Sequence, residues 1–385
     1  MNILFVLNSF PGLGGIETVT DALADFLGDH FKIYAFSFGG DPSVEVSSKF
    51  EKTFCCAGGS FSGNCRMYND ILRDYRIDVV INQGMYPHTT KVVFNRRRPS
   101  GIKVISVLHG MPGYEKIQFW TLPSVVNASP CRKRFRTILF KAGLFRKYNR
   151  YTGRFRRYYR KAAIKGDAVL MLTVGYIEQF VKEYGLEKYR NRISAVENPL
   201  PASCSALPVP DWDTKKNNIV YVGRLSDEKR VDVVLDVWRE ASRPDWHLYI
   251  VGDGPEMSAL KEKAANERIG NITFAGYEKE PWKYYSEAKI LLLTSRFEGF
   301  PMCLLEALKS GAVPVSYDVS AGVRSILEDG GGMLVEKDDF KGFVGAVNML
   351  MDDEVLLRQM SVAASDKSRR YSLETIGGQW LQLLG

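Results

Sequence analysis

Long apolar runs are absent from this sequence of 385 residues. The most continuous ones, such as 290–294, are much shorter than the roughly 18 apolar residues that cross a bilayer, and they have the length of buried strands. The first residues also lack a basic region and a small-residue cleavage site, because Met1 leads directly into the apolar run 3–7. We therefore expect a cytoplasmic chain that does not span a membrane.

Metal-binding and disulfide patterns are equally scarce. The six cysteines show no CxxC spacing, and the four histidines show no HxH or HxxxH spacing. This predicts reduced, structural cysteines and argues against a histidine-rich metal centre. The Asp-x-Asp triplet Asp211-Trp-Asp213 lies in a polar segment rather than at a strand end. We therefore expect no essential metal and no other cofactor.

Acidic residues are missing between Lys116 and Gly166, although the chain as a whole has a net charge of +8. Positive and apolar side chains alternate in the segment 131–165, and its cations include Arg132, Lys133, Arg134, Arg136 and Lys141. Three interpretations stay open: a solvated surface, nucleic-acid binding, and contact with an anionic membrane or a phosphate-linked acceptor. We favour the third, because interfacial helices have this mixed composition and no nucleic-acid-binding module is visible.

The sequence does contain a repeated alternation of strands and helices. In the first half, apolar runs predict strands at 3–7, 31–37, 79–82, 104–108, 168–173 and 193–196, with a helix at 17–27. In the second half, strands are predicted at 219–222, 246–251, 272–275, 289–294 and 313–317, with helices at 231–240, 257–265 and 301–309. Continuous apolar strands separated by helices indicate parallel sheets covered on both faces.

This length and pattern predict an α/β chain with two doubly wound, Rossmann-like domains that face each other across a cleft. We expect an N-terminal domain at 1–200 and a second domain at 218–365. The proline-rich stretch 201–217 is the predicted linker. The segment 366–385 is predicted to be a helix that packs back on the N-terminal domain.

Two glutamates eight residues apart, Glu298 and Glu306, belong to the segment that is richest in signals. It follows an apolar strand, Pro301 suits the first turn of a helix, and Gly311 suits the C-terminal cap of that helix. Ligands of open parallel sheets lie beyond the carboxyl ends of strands, where a helix N-terminus favours phosphate. One carboxylate could then bind the hydroxyls of a sugar and the other those of a ribose. The spacing alone is more typical of glutamates on a solvated surface.

Other polar residues follow predicted strands. Arg224 and Lys229 could neutralise a diphosphate, although a solvated surface pair is the alternative. Gly14 and Gly15 let the backbone approach a phosphate or a sugar closely. Glu17 stands where a dinucleotide-binding motif has its third glycine, which argues against hydride transfer.

His109 ends the strand 104–108 and precedes a glycine. It is either a structural histidine or a residue that points into the cleft.

Taken together, these segments resemble the GT-B glycosyltransferases of retaining family four. Glu298-Gly-Phe-Pro with Glu306 is similar to the E-x7-E motif of that family, and three further segments match it in order: Gly14–Glu17, Gly223–Lys229 and Val251–Glu256. The resemblance covers nearly the whole chain. It implies a metal-independent, retaining hexosyltransferase in surface polysaccharide biosynthesis. The implied donor is a nucleotide sugar, with UDP favoured, and the implied acceptor is a glycan or a lipid-linked saccharide at the inner face of the membrane.

The resemblance also implies roles for the two domains and for individual residues. The domain 1–200 would be the acceptor-side domain, and the domain 218–365 would bind the nucleotide sugar. The implied catalytic residues are Glu298, His109, Arg224 and Lys229. The implied donor-binding residues are Gly14, Gly15, Arg224, Lys229, Tyr277, Glu298, Gly299, Phe300, Pro301 and Glu306. Glu298 would orient the transferred sugar, and Glu306 would hold the ribose.

Three positions depart from the family pattern. Arg230 stands where glycine is usual, Lys289 replaces a common aspartate, and the segment 321–325 lacks an acidic residue. These departures leave the identity of the donor sugar open. Two other functions also stay open: a nucleotide-sugar epimerase or hydrolase of the same fold, and a non-catalytic sugar-nucleotide-binding protein at the membrane.

Overall fold

The computed structural model of the chain describes residues 1–56, 58–121 and 146–385. The chain divides into two compact units, each with its own parallel sheet. The first unit comprises Met1–Thr20 and Leu27–Val196, and the second comprises Asp21–Phe26 and Glu197–Gly385. This architecture confirms the predicted fold class of two doubly wound α/β domains.

The sheet of the first unit has the strand order β3-β2-β1-β4-β5-β6-β7, and all its pairings are parallel. Its strands are β1 (Asn2–Leu7), β2 (Lys32–Ser37), β3 (Phe50–Cys55), β4 (Val79–Gln83), β5 (Lys103–Leu108), β6 (Ala168–Met171) and β7 (Ile193–Ala195). The described helices are α1 (Gly15–Leu27), α2 (Phe61–Asp74), α3 (Pro87–Val93), α4 (Tyr114–Thr121), α5 (Arg146–Lys165) and α6 (Ile177–Tyr184).

The sheet of the second unit has the order β10-β9-β8-β11-β12-β13, again fully parallel. Its strands are β8 (Asn218–Val222), β9 (His247–Val251), β10 (Ile272–Gly276), β11 (Ile290–Leu293), β12 (Val313–Tyr317) and β13 (Met333–Val335). The helices that follow Glu197 are α7 (Ala202–Ser205), α8 (Val231–Ala241), α9 (Met257–Asn266), α10 (Trp282–Glu287), α11 (Met302–Ser310), α12 (Ala321–Leu327), α13 (Phe340–Asp352), α14 (Glu354–Ser368) and α15 (Leu373–Leu384).

The predicted strands are confirmed to within two residues, because the central strands are buried on both faces and therefore carry continuous apolar runs. Two strands were not predicted. Strand β3 lies at a sheet edge with mostly exposed residues, so its sequence has no apolar run. Strand β13 is an edge strand of only three residues. Both lack the signal on which the prediction depends.

The polar stretch of sequence that follows β7 and precedes β8 contains helix α7 and a short 3-10 turn, Trp212–Thr214. The Asp211 carboxylate caps that turn by accepting a hydrogen bond of 3.2 Å from the Asp213 amide. Asp211 therefore has a structural partner within its own turn. No helix in the described ranges is long and apolar enough to cross a bilayer.

Candidate active site

The candidate site of the second unit lies where its strand order reverses, between the neighbouring strands β8 and β11. Such a reversal leaves a crevice beyond the carboxyl ends of the strands. The loop 223–230 leaves β8 at this edge, and the loop 294–301 leaves β11. The Thr294 hydroxyl donates to the Arg230 carbonyl at 2.8 Å, and the Arg296 amide donates to the Glu228 carbonyl at 2.8 Å. The two loops are thus braced against each other.

Lys229 and Glu298 form an ion pair between these loops, with Nζ 2.6 Å from Oε1. The Ser295 hydroxyl donates to the same oxygen at 2.7 Å. Only 9% of the Glu298 side chain is exposed, against 26% for Lys229. A buried carboxylate must be paired and hydrogen-bonded to be tolerated, and both conditions are met here. Burial lowers the pKa of Lys229, but the adjacent Glu298 carboxylate outweighs it, and the pKa is raised overall.

Arg224 differs from Lys229 because its side chain is exposed. The loop is anchored there through the backbone, since the Tyr221 hydroxyl donates to the Arg224 carbonyl at 3.0 Å. Within the described part of the chain, the Arg224 guanidinium has neither a hydrogen bond nor an ion pair. It is therefore available to an anionic ligand without loss of an existing contact.

Glycines hold the loop after β8 against the loop after β9. The Gly223 amide donates to the Val251 carbonyl at 3.0 Å, and the Gly252 amide donates to the Gly276 carbonyl at 2.7 Å. A Cβ atom at Gly252 would lie 1.9 Å from the Gly223 carbonyl oxygen, and one at Gly254 would lie 2.2 Å from the Leu225 carbonyl oxygen. The glycines that carry the family resemblance are thus required by backbone packing at this edge of the sheet.

Arg230 adopts the left-handed conformation, with φ of 51°. Glycine reaches this region without steric cost, which explains physically why the related family has glycine at this position. Here the arginine side chain has compensating contacts: it forms an ion pair with Asp338 and lies 5.7 Å from the centroid of the Tyr317 ring. Lys289, the second departure, is buried and donates to the Asn217 side chain at 2.8 Å. Both departures therefore have structural partners.

Helix α11 begins after Pro301, its N-cap residue, and ends at Gly311, whose φ is 69°. Both features agree with the predicted helix boundaries. Glu306 lies on this helix, and its Oε2 accepts a hydrogen bond of 2.6 Å from the hydroxyl of Tyr285 on α10. Burial raises the pKa of Glu306, and the hydrogen bond from Tyr285 lowers it by a smaller amount. Glu306 therefore has a neutral hydrogen-bond partner, whereas Glu298 is paired with a cation.

The other predicted donor-binding residues of this unit differ in exposure. The ring of Phe300, only 5% exposed, packs edge-on against Tyr371 with centroids 5.9 Å apart. The Phe300 side chain is therefore packed in the interior of this unit. Gly299 and Pro301 are its neighbours in the same loop. Tyr277 is exposed and follows β10, which is two strands from β8, or about 10 Å along the sheet edge.

In the first unit, His109 follows β5 and Gln83 ends the neighbouring strand β4. His109 Nε2 lies 2.6 Å from Gln83 Oε1. The two atoms are within hydrogen-bonding distance, and the Gln83 side chain orients the imidazole ring at the end of its strand. The sequence analysis did not single out Gln83 or Ser295. Each is a polar residue at or just after the carboxyl end of an apolar strand, and this is the sequence signal that could have identified them.

The glycine turn after β1 leads into helix α1, which starts at Gly15. The Glu17 carboxylate folds back on this turn, and a Cβ atom at Gly14 would lie 2.3 Å from Glu17 Oε2. Burial raises the pKa of Glu17. A side chain at position 14 would displace the Glu17 carboxylate, and both Gly14 and Gly15 are exposed.

Five residues of the predicted membrane or acceptor contact lie outside the described residues: Arg132, Lys133, Arg134, Arg136 and Lys141. Among the residues that the structure does describe, no group of three or more His, Cys, Asp or Glu side chains could hold a metal ion. The cysteines in these ranges are free thiols.

Comparison with known proteins matches residues 207–367 to the family model described as Glycosyl transferases group 1. A lipopolysaccharide 1,6-galactosyltransferase from Escherichia coli K12 is 31% identical over 207 residues, which are 52% of this chain and 56% of that protein. The chain spans about half the length, or less, of the first curated relatives that it matches.

Two solved structures share the fold over the whole chain. The apo form of the lipopolysaccharide outer core galactosyltransferase WaaB has a TM-score of 0.70 at 20% identity, with coverage of 100% of this chain and 99% of that one. Anabaena HepE in complex with UDP has a TM-score of 0.73 at 15% identity, with the same coverage. The chain therefore has the GT-B fold, and its residues 207–367 match the group 1 glycosyl transferases.

Proposed function

We propose that this chain is a retaining glycosyltransferase of family four. It moves a hexose from a UDP-linked donor to a glycan or lipid-linked saccharide in surface polysaccharide biosynthesis. The observation that carries the proposal is the buried Lys229–Glu298 pair at the strand-order reversal, with the exposed Arg224 on the same loop. The names of similar proteins support it, since they include lipopolysaccharide and amylovoran glycosyltransferases.

The diphosphate of the donor would bind to the loop after β8. Arg224 is exposed and can bind a phosphate oxygen directly. Lys229 has three N–H donors and uses one of them for Glu298, so others remain for a phosphate. Two cations on one loop can replace a metal ion at a departing diphosphate, and we accordingly propose a metal-independent enzyme. UDP is the simplest donor nucleotide, because similar structures were solved with UDP bound.

The transferred sugar would lie against Glu298. Lys229 and Ser295 hold Oε1 of this carboxylate, so its orientation is set before the donor arrives. During transfer the bond between the anomeric carbon and the diphosphate oxygen breaks, and the acceptor oxygen bonds to the same face of that carbon. The acceptor proton passes to the departing diphosphate, whose charge Arg224 and Lys229 stabilise. Attack on the same face retains the anomeric configuration.

Glu306 would hold the ribose of the nucleotide. Its carboxylate can accept hydrogen bonds from vicinal hydroxyls, while the Tyr285 hydroxyl donates to Oε2 and holds the group in place. In the first unit, we propose that His109 contacts the donor sugar or its phosphate and that Gly14 and Gly15 contact the donor through their backbone.

A direct test compares Glu298→Gln with the unchanged protein in binding UDP and a UDP-sugar. If Glu298 contacts the sugar, the variant loses affinity for the UDP-sugar and keeps its affinity for UDP. Equal affinity for the UDP-sugar in both proteins would remove Glu298 from the sugar site. The matched control is Glu287→Gln, which lies in the same unit and forms an exposed ion pair with Lys216.

A second test follows the reaction itself by NMR, with a panel of UDP-sugars in the presence and absence of saccharide acceptors. We expect turnover only with an acceptor, and a product with the donor's anomeric configuration. Inversion would refute the retaining mechanism. Turnover without an acceptor would indicate an epimerase or hydrolase, and donor binding without turnover would indicate a non-catalytic binding protein.

We further propose that the reaction takes place in the cytoplasm at the inner face of the membrane. The support is a relative from Campylobacter jejuni that is 24% identical over 213 residues and whose name specifies an undecaprenol-linked saccharide acceptor. The basic segment 131–165 would contact that surface or the phosphate-linked acceptor.

A further inference from the structure

A cavity of about 700 Å³ lies in the first unit, among helices α2, α3 and α5 and the loop that follows α3. A second recess shares Phe94, Asn95, Arg96 and Lys161 with it, so the two adjoin. None of the residues proposed to bind the donor lines either space, although Arg157, Tyr158 and Lys161 belong to the basic segment 131–165. The cavity is therefore separate from the proposed donor contacts, and a ligand bound there would give part of the basic segment a defined partner.

The position of the cavity in the sheet also separates it from the predicted donor contacts. The loop 94–100 leads into the amino end of β5, and Lys165 at the end of α5 precedes the amino end of β6. Gly14 and His109 instead follow the carboxyl ends of their strands. In a parallel sheet these ends form opposite edges, about 20 Å apart for a strand of six residues.

The lining of the cavity is strongly cationic. It includes seven Arg and Lys side chains and a single carboxylate, Asp70, which is already paired with Arg73. Arg66, Arg97 and Arg157 are exposed, and none of these three side chains has a hydrogen bond or ion pair within the described ranges. Their charge is thus available to a ligand.

Clustering these cations has an electrostatic cost. The pKa of Lys161 is lowered by burial first and then by the nearby positive charges of Lys165, Lys91 and Arg96. Lys161 donates its hydrogen bond of 2.8 Å to the Phe94 carbonyl rather than to a carboxylate. An anion in the cavity would relieve this repulsion, because opposite charges attract strongly where water is partly excluded.

Apolar groups line the same cavity beside the cations. The Phe61 ring is 45% exposed, and Lys91 Nζ lies 3.7 Å from its centroid. Tyr158 is partly exposed and also lines the cavity. A ligand that fits this lining therefore has both an anionic group and an apolar or ring-shaped part.

We propose that this cavity is a binding site for an amphiphilic phosphate ester. Its phosphate or diphosphate contacts Arg66, Arg97 and Arg157, and its apolar part rests against Phe61 and Tyr158. Such a molecule can be free in solution or can be the headgroup region of a membrane lipid. The site is distinct from the donor diphosphate site at Arg224 and Lys229.

The test uses the full chain and two probes: geranyl diphosphate in solution, measured by calorimetry, and vesicles of equal parts phosphatidylglycerol and phosphatidylcholine, measured by flotation. The cavity variant is Arg66→Gln with Arg97→Gln and Arg157→Gln. The control variant, with the same change in net charge, is Lys32→Gln with Lys182→Gln and Lys188→Gln, all exposed in the same unit. Melting temperatures verify that both variants fold, and the single variant Arg157→Glu replaces the triple variant if it does not.

We expect the cavity variant to lose about tenfold or more in affinity, because each charged hydrogen bond contributes roughly one factor of ten. The control should stay within about twofold of the unchanged protein, since exposed charges away from the site are screened. If the cavity variant loses affinity for geranyl diphosphate, the ligand is a soluble molecule. If it loses affinity only for the vesicles, the ligand is a membrane lipid. Equal behaviour of the two variants, or no binding of either probe, overturns the proposal. Arg224→Ala, which removes a proposed donor contact in the other unit, should bind both probes as the unchanged protein does, so a failure of the donor-site proposal is distinguishable from a failure of the cavity proposal.

Discussion

Replacing Lys229 with Met removes the positively charged partner of Glu298 and keeps the hydrogen bond from the Ser295 hydroxyl. The two charged atoms are 2.6 Å apart, and Glu298 is 9% exposed. At an effective dielectric constant of about 20, their attraction at this distance is about 6 kcal/mol, and desolvation cancels a large part of it. Removing one partner of a buried pair costs about 3–5 kcal/mol. Because Lys229 is partly exposed to water, we expect the free energy of unfolding to fall by about 3 kcal/mol.

The assay is urea denaturation of the full chain, with Lys283→Met as the matched control. Lys283 pairs with Glu278 at 3.2 Å in the same unit, but its side chain is 61% exposed. An exposed pair contributes little, so this control should leave the urea midpoint nearly unchanged. If the two variants unfold at the same urea concentration, the Lys229–Glu298 pair is not a buried stabilising interaction and the reasoning fails.

The pH dependence gives an independent check of the same pair. The pKa of Lys229 is raised from its ordinary value of 10.5. A raised lysine pKa means that the stabilisation is complete below the ordinary value and is lost as the pH rises through the value in the folded protein. The stability difference between the unchanged protein and Lys229→Met should therefore be constant from about pH 6 to about 9 and should shrink only in strong alkali. A difference that vanishes near neutrality would contradict this assignment.

The remaining predictions concern Glu306, Arg224 and Gly252. UDP binding, measured by calorimetry, should weaken as the pH falls toward the raised pKa of Glu306, because only the ionised carboxylate accepts hydrogen bonds from both ribose hydroxyls. The variant Glu306→Gln should bind UDP more weakly but without this pH dependence. Arg224→Ala should reduce UDP affinity and leave the melting temperature unchanged, since its guanidinium has no partner in the described residues; a lowered melting temperature would assign it a structural role. Gly252→Ala should cost about 3 kcal/mol in urea denaturation, because φ is 134° and the new Cβ would meet the Gly223 carbonyl. The control Gly345→Ala lies in a helix with open space around it and should gain up to about 1 kcal/mol.

Much of the fold was predictable because its signals are local. Strands such as β4 and β11 are buried on both faces, so their sequences are continuously apolar. The boundaries of α11 were predictable from Pro301 and Gly311, whose backbone preferences act within a few residues. The glycine turns and the cations after β8 were also visible, because they directly follow apolar strands.

The contacts that make these residues a site were decided only by the tertiary structure. Lys229 and Glu298 are 69 residues apart in sequence, and no local rule specifies that they meet through the adjacency of β8 and β11. The same holds for His109 with Gln83, and for the cationic cavity, which draws on three helices and a loop. The sequence alone determined which residue types follow each strand, because backbone propensity and apolar burial are local properties. Strand order then decided which of them share a site, because it is set by the packing of the whole sheet.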